Sequence, residues 1–78
     1  MPTSRPAGYT PRVDLIVNGE PRRVENVATV QDLLRELGVD ARQVAVEVNL
    51  EVVPRARHAF HPLRGGERVE IVSFVGGG

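Results

Sequence analysis

The residues best suited to chemistry in this sequence are its last three, Gly76, Gly77 and Gly78, which offer only backbone and one α-carboxylate. Glycine has no Cβ, so another molecule can approach such a terminus closely. We therefore expect the carboxylate of Gly78 to be the functional group. Gly76 and Gly77 are expected to give access to it, and the competing interpretation is a glycine tail without a task.

The other side chains offer little further chemistry. The sequence has no cysteine, which excludes a thiol nucleophile, a disulfide framework and a thiolate metal site. His58 and His61 lack acidic or thiol companions at metal-ligand spacing, so we expect loop residues and no metal site. No nucleophile, base and orienting group can be assembled from the sequence, and an enzyme is the least favoured class.

Charge and hydropathy limit the partners. Ten basic residues balance ten acidic ones, which argues against binding to nucleic acid or to an anionic membrane. Apolar runs do not exceed three residues, so neither a membrane span nor a signal peptide is predicted. We expect a cytoplasmic protein.

The elements that must position the glycine tail begin after a leader, residues 1–12, which is rich in Pro and predicted to be flexible. Alternating apolar residues from Val13 to Val17 predict a half-buried strand. Asn18 and Gly19 then favour a type I′ turn into a returning strand at 21–25.

One amphipathic helix follows. Thr29 is a plausible N-cap with Asp32 three residues later, and Gly38 is a plausible C-terminal stop. The apolar stripe that we expect to form the core has the helical spacing i, i+3, i+4 and i+7: Val30, Leu33, Leu34 and Leu37.

Three further strands are predicted at 44–48, 52–54 and 69–75. A hairpin, a helix and later strands form two layers around one core, which is an α+β fold of the β-grasp or ubiquitin-like type. The domain would span 13–75, with four or five strands in a mixed sheet and a flexible tail at 76–78.

A partner-binding face is predicted beside the tail. If Val69 and Ile71 point inward, alternation places Val72 and Phe74 on the outer face of the sheet. The first and last strands of a β-grasp pair side by side, and contiguous exposed apolar residues often mark an interface. The predicted patch consists of Ile16, Ala45, Val72, Phe74 and Val75. Scattered surface hydrophobes, or cover by the leader, are the alternatives.

Six segments occur in a characteristic order and spacing: Val17-Asn18-Gly19-Glu20, Thr29-Val30-Gln31-Asp32-Leu33-Leu34, Val46-Glu47-Val48-Asn49, Val53-Pro54-Arg55, Gly66-Glu67 and Phe74-Val75-Gly76-Gly77-Gly78. Together they resemble the ThiS family, the bacterial sulfur carriers of thiamin biosynthesis, over residues 13–78. Two positions depart from that family's pattern. Leu50 stands where Gly is common, and Glu67 stands where Asp is commoner.

The resemblance implies a protein that catalyses nothing itself and binds no cofactor. A ThiF-like adenylyltransferase would use ATP to adenylate Gly78, and a persulfide donor would then displace AMP to leave a thiocarboxylate. The sulfur would pass to a ThiG-like thiazole synthase. Other possibilities are the small subunit of molybdopterin synthase, a carrier for tRNA thiolation or protein modification, and a β-grasp interaction module that carries no sulfur.

Overall fold

The computed structural model describes residues 12–74. The expected flexible segments, 1–11 of the leader and the glycine tail, lie outside the described residues, as does Val75. Arg12 was assigned to the leader but is the first residue of strand β1, where it pairs with Glu25.

Residues 12–74 form five strands and one α-helix: β1 Arg12–Val17, β2 Glu20–Glu25, α1 Val30–Leu37, β3 Val44–Val48, β4 Glu51–Val53 and β5 Arg68–Ser73. Short 3₁₀ turns occur at Ala41–Gln43 and Arg55–Arg57. The sheet has the order β2-β1-β5-β3-β4, with β1 and β5 parallel and the other neighbours antiparallel. The mixed sheet with one main helix confirms the predicted β-grasp fold.

Helix α1 has both of its predicted ends. The Thr29 hydroxyl accepts a hydrogen bond from the Asp32 backbone N–H at 3.2 Å, and the Asp32 carboxylate accepts from the Thr29 N–H, also at 3.2 Å. This reciprocal pair satisfies two backbone donors that a helix start otherwise leaves free. Gly38 ends the helix in the left-handed region, with a φ of 71°.

The core lies between α1 and one face of the sheet. Val30 and Leu33 of the helix are fully buried, and they belong to one cluster with Leu15 of β1 and Val69 of β5. Burying an aliphatic side chain of this size contributes roughly 1.5 to 3 kcal/mol. Leu37 of the predicted stripe is only half-buried, at the edge of the cluster.

Two hairpins use two-residue turns in which both residues have positive φ. Asn18 and Gly19 have φ values of 50° and 84°, which confirms the predicted turn between β1 and β2. Asn49 and Leu50 connect β3 to β4 in the same way, with φ values of 51° and 72°. A side chain at this φ is strained, so Leu50 occupies a position that suits glycine better.

Candidate functional site

Strand β5 leads the chain from the centre of the sheet to the residues before the glycine tail. Val72 lies beside Ala45 of β3, and the Phe74 N–H donates to the Gln43 carbonyl at 2.8 Å. Val69 of the same strand is completely buried, whereas Val72 and Phe74 are 56% and 66% exposed. The end of β5 therefore presents apolar side chains on the outer face of the sheet, as predicted.

The structure brings together only part of the predicted patch. Ala45, which is half-buried, lies next to Val72. Ile16 is also half-buried, but it pairs with Arg68, four residues before Val72 on β5. At about 3.3 Å per residue, Ile16 and Val72 lie roughly 13 Å apart along the strand. The expectation that Ile16 joins Val72 and Phe74 was wrong, because β1 runs alongside only the first part of β5.

A groove that sequence reasoning missed opens beside Phe74. Strand β4 ends at Val53, opposite Val46, and Pro54 then directs the chain away from the sheet. The first part of β3 is consequently without a β4 neighbour, and an open cavity of about 340 Å³ occupies the space. Apolar residues of β3 and β4, such as Ala45 and Val52, contribute to its lining, as does Phe74 directly after β5. Val52 is 66% exposed, which extends the apolar outer face toward the edge of the sheet.

Positive charge lies at the same groove. Arg42 and Arg55 both line it. Arg42 is paired with Asp40 at 3.0 Å, and its side-chain hydrogen bond lowers the pKa of Asp40. The pairing stabilises the fold at pH values above the ordinary range of an aspartate, and this contribution is lost as the pH falls through the lowered value. Within residues 12–74 Arg55 forms no ion pair, so its charge is available at the groove.

The two histidines lie in the loop that follows β4, as expected, but His58 is buried and only 4% exposed. Its Nε2 lies 3.1 Å from the Val53 carbonyl, so Nε2 carries the proton that this hydrogen bond needs. His61 is half-buried, and its backbone carbonyl accepts from the Val30 N–H. The described part of the chain has no group of three or more metal-binding side chains.

Two asparagines anchor β5, and the sequence interpretation assigned them only to turns. The Asn18 side chain bonds both the N–H and the carbonyl of Ile71. The side-chain Oδ1 of Asn49 accepts from the Arg68 backbone N–H at 3.0 Å, and the side-chain Nδ2 of Asn49 donates to the Glu67 carboxylate at 3.1 Å. Both asparagines have positive φ at the end of a strand, a local signal that the side chain can reach a neighbouring backbone.

The described helices include none with the length and apolar character needed to cross a lipid bilayer. Val72 and Phe74 of the outer face adjoin the groove through Ala45, which pairs with Val72 and lines the groove together with Phe74.

Comparisons with known proteins show which family the chain resembles. The sequence model of the ThiS family matches residues 15–78. A sulfur carrier protein ThiS from Thermus thermophilus is 40% identical over 62 residues, which cover 80% of this chain and 95% of that one. A crystal structure of the thiamine biosynthesis protein ThiS from Geobacter metallireducens matches with a TM-score of 0.73 and 38% identity, over 85% of this chain and all of that one.

Longer relatives also occur. A thiazole synthase from Paramagnetospirillum magneticum is 52% identical over 64 residues, which are 82% of this chain. The chain spans only about a fifth of the length of that protein and of a second thiazole synthase, from Magnetococcus marinus. Since the family's sequence model covers most of the chain and a carrier of similar length and fold matches it, the chain belongs to the ThiS family of sulfur carrier proteins.

Proposed function

We propose that the carboxylate of Gly78 is adenylated, converted to a thiocarboxylate and used as the sulfur source for thiazole formation in thiamin biosynthesis. The observation that carries this proposal is the match of the ThiS family through Gly78, on a domain whose central strand β5 leads toward that residue. The chain acts as a protein co-substrate and not as an enzyme.

The proposed sequence of steps follows from the chemistry of a carboxylate. A carboxylate is a poor electrophile, and adenylation by a ThiF-like adenylyltransferase turns one of its oxygens into part of a leaving group. The terminal sulfur of a persulfide, which is strongly nucleophilic, then attacks the acyl carbon and displaces AMP, which gives an acyl disulfide between the chain and the donor. A second thiol cleaves this S–S bond, so that the thiocarboxylate leaves while the donor and the thiol form a disulfide. The partner uses ATP, and the carrier holds no cofactor of its own.

Reach explains why the reactive group stands on glycines. From Val75 to Gly78 the chain can extend roughly 13 Å at about 3.3 Å per residue. That length allows Gly78 to enter a partner's active site while residues 12–74 stay outside. Gly76 and Gly77 keep the segment narrow, because neither has a side chain.

The outer face at the end of β5 is proposed as the surface that partners hold. Val72 and Phe74 are exposed and lie next to Ala45, directly before the tail. Val75 is assigned to the same surface from the sequence alone. A thiazole synthase of the ThiG type is the proposed sulfur acceptor, supported by the relatives that carry that name.

Gly77→Val tests the proposed entry of the tail. The added side chain restricts φ and widens the segment, so we expect ATP–pyrophosphate exchange with a ThiF-like adenylyltransferase to fall at least tenfold, or about 1.4 kcal/mol. The thermal midpoint should stay at the wild-type value, since the buried cluster described for the fold consists of residues between 12 and 74.

Gly65→Val is the matched control for this substitution. A Cβ at Gly65 meets open space, and this glycine does not need positive φ. We expect near-normal exchange from this variant. Normal exchange by Gly77→Val would contradict the threading of the tail into the partner.

A further inference from the structure

Strand β1 stops pairing with β5 before β5 ends. The backbone ladder between them includes Ile16 with Arg68 and Val17 with Val69, and its last backbone bond runs from the Asn18 N–H to the Val69 carbonyl at 2.9 Å. The chain then turns into β2. On this side of β5, the next bonds come from a side chain.

The amide of Asn18 continues the ladder. Its Oδ1 accepts from the Ile71 N–H at 2.8 Å, and its Nδ2 donates to the Ile71 carbonyl at 3.3 Å. The two residues are 53 positions apart in the sequence. A primary amide has one donor and one acceptor direction in the same plane, like a peptide group, so it can replace the strand residue that is missing here.

The turn itself does not require these two bonds. A type I′ turn needs positive φ, which glycine or aspartate also supplies. Asn26 has a similar φ of 61°, yet its side chain makes no hydrogen bond within residues 12–74. The contacts of Asn18 to β5 are therefore a property of this asparagine beyond its backbone conformation.

We propose that Asn18 is a positioning residue for sulfur transfer, because its side-chain amide holds Ile71 near the end of β5, the strand that leads to the glycine tail. This inference rests on the proposed function. Strand β3 holds the other side of β5, up to the bond between the Phe74 N–H and the Gln43 carbonyl. With both sides held, β5 keeps Ile71 and Phe74 fixed in the sheet when the terminus enters a partner's active site.

Loss of the Asn18 bonds adds residues of β5 to those that a partner must immobilise. Residues at the end of β5 would then be held by β3 alone, and local opening of that end becomes easier. Each additional residue that a partner has to immobilise costs conformational entropy on binding. The expected consequence is weaker productive binding with little change in the chemical step.

The Ile71 amide is a specific reporter of this contact. The bonds from Phe74 to Gln43 and from Asn49 to Arg68 show that alternate residues of β5 face β3. Ile71 falls between them, so its N–H points to the other side and donates to Asn18. Hydrogen exchange at this one amide measures the side-chain bond without interference from the β3 ladder.

Asn18→Gly tests the proposal, because glycine keeps the turn and removes the amide. We expect hydrogen exchange at the Ile71 N–H to become roughly tenfold faster. In ATP–pyrophosphate exchange with the carrier as varied substrate, we expect KM to rise about three- to tenfold with kcat unchanged, as for the loss of one or two hydrogen bonds. Asn18→Asp keeps an acceptor for Ile71 and should be intermediate in both measurements.

Asn26→Gly is the matched control, because it makes the same substitution at a similar φ. It should leave the hydrogen-exchange rate at Ile71 and the KM for the carrier at their wild-type values. Unchanged hydrogen exchange at the Ile71 N–H in both Asn18 variants would show that the Asn18 side chain does not hold Ile71. Faster exchange at Ile71 with an unchanged KM would overturn its role in positioning. A wild-type chain that is never adenylated would instead refute the proposed function, while the exchange at Ile71 still decides whether Asn18 holds β5.

Discussion

The proposed partner recognition depends most on two exposed residues, Val72 and Phe74. Their apolar side chains are exposed beside each other, so replacing them should change the stability of the fold little. The same side chains provide apolar area for an interface. Ala45 supplies the adjoining, less exposed surface on β3. Ile16 contributes to a different part of the sheet, beside Arg68.

Val72→Asp is expected to weaken binding to a ThiF-like adenylyltransferase at least tenfold, because it places a charge in the middle of an apolar contact that loses water on binding. Stability should change by no more than about 0.5 kcal/mol, as for most exposed positions. Titration calorimetry and urea unfolding measure the two quantities.

Val52→Asp makes the same chemical change at another exposed valine of the outer face, on edge strand β4, where the exposed fraction is 66% compared with 56% for Val72. We expect a smaller loss of affinity there, since β4 lies two strands from β5. Unfolding of Val72→Asp would show that this side chain belongs to the core. Equal losses from both variants would show that the interface is centred on the groove and not on β5.

At the scale of elements, the two type I′ hairpins have the same backbone shape and different sequences. Asn18 and Gly19 form one turn, and Asn49 and Leu50 form the other. Leu50 has a φ of 72° and is 82% exposed, so it has the strain of the left-handed region without compensating burial. This is also a position at which the sequence departs from the family's usual glycine.

Leu50→Gly is expected to raise the free energy of unfolding by about 0.5 to 1 kcal/mol. Relief of left-handed strain is worth roughly 1 to 2 kcal/mol, and the greater freedom of glycine in the unfolded chain offsets roughly 0.5 to 1 kcal/mol of it. Urea unfolding at constant m-value measures the change.

Gly19→Leu is the reciprocal substitution in the other hairpin, where φ is 84° and an added Cβ meets nothing within 4 Å. Its expected effect is a loss of about 0.5 to 1 kcal/mol, because left-handed strain of roughly 1 to 2 kcal/mol is partly offset by the smaller freedom of leucine in the unfolded chain. If both substitutions changed stability in the same direction, left-handed strain would not be the dominant difference between these turns.

Elements whose signals are local were predicted well. Helix α1 was confirmed from its N-cap at Thr29 to its stop at Gly38, because both caps and the apolar stripe lie within ten residues. The inward and outward faces of β5 were also confirmed, since alternation is a property of one strand. The same local information gave the Asn18 turn its type.

Contacts between distant segments were not predictable in the same way. The position of Ile16 relative to Val72 depends on the register between β1 and β5, which alternation within either strand does not set. The bond of Asn18 to Ile71 and the burial of His58 likewise need the three-dimensional arrangement. The groove beside Phe74 arises because β4 is only three residues long, a length that Pro54 suggested without showing the space that it leaves.

At the scale of the whole molecule, the helix covers one face of the sheet, and the exposed side chains at the end of the central strand β5 lie on the other face. This division suits the proposed function, in which residues 12–74 provide stability and partner recognition and Gly78 provides the chemistry. Two thiazole synthases contain a similar segment over about a fifth of their length, which supports the proposed role in thiazole formation.

Intact-protein mass spectrometry tests the central claim most directly. The chain is incubated with a ThiF-like adenylyltransferase, ATP, a persulfide donor and a thiol reductant, and its mass is compared with that of the untreated chain. We predict a species in which one oxygen is replaced by sulfur, with the change confined to the peptide that contains Gly78. An unchanged mass, under conditions in which the same enzyme and donor convert a known carrier to its thiocarboxylate, would contradict the account.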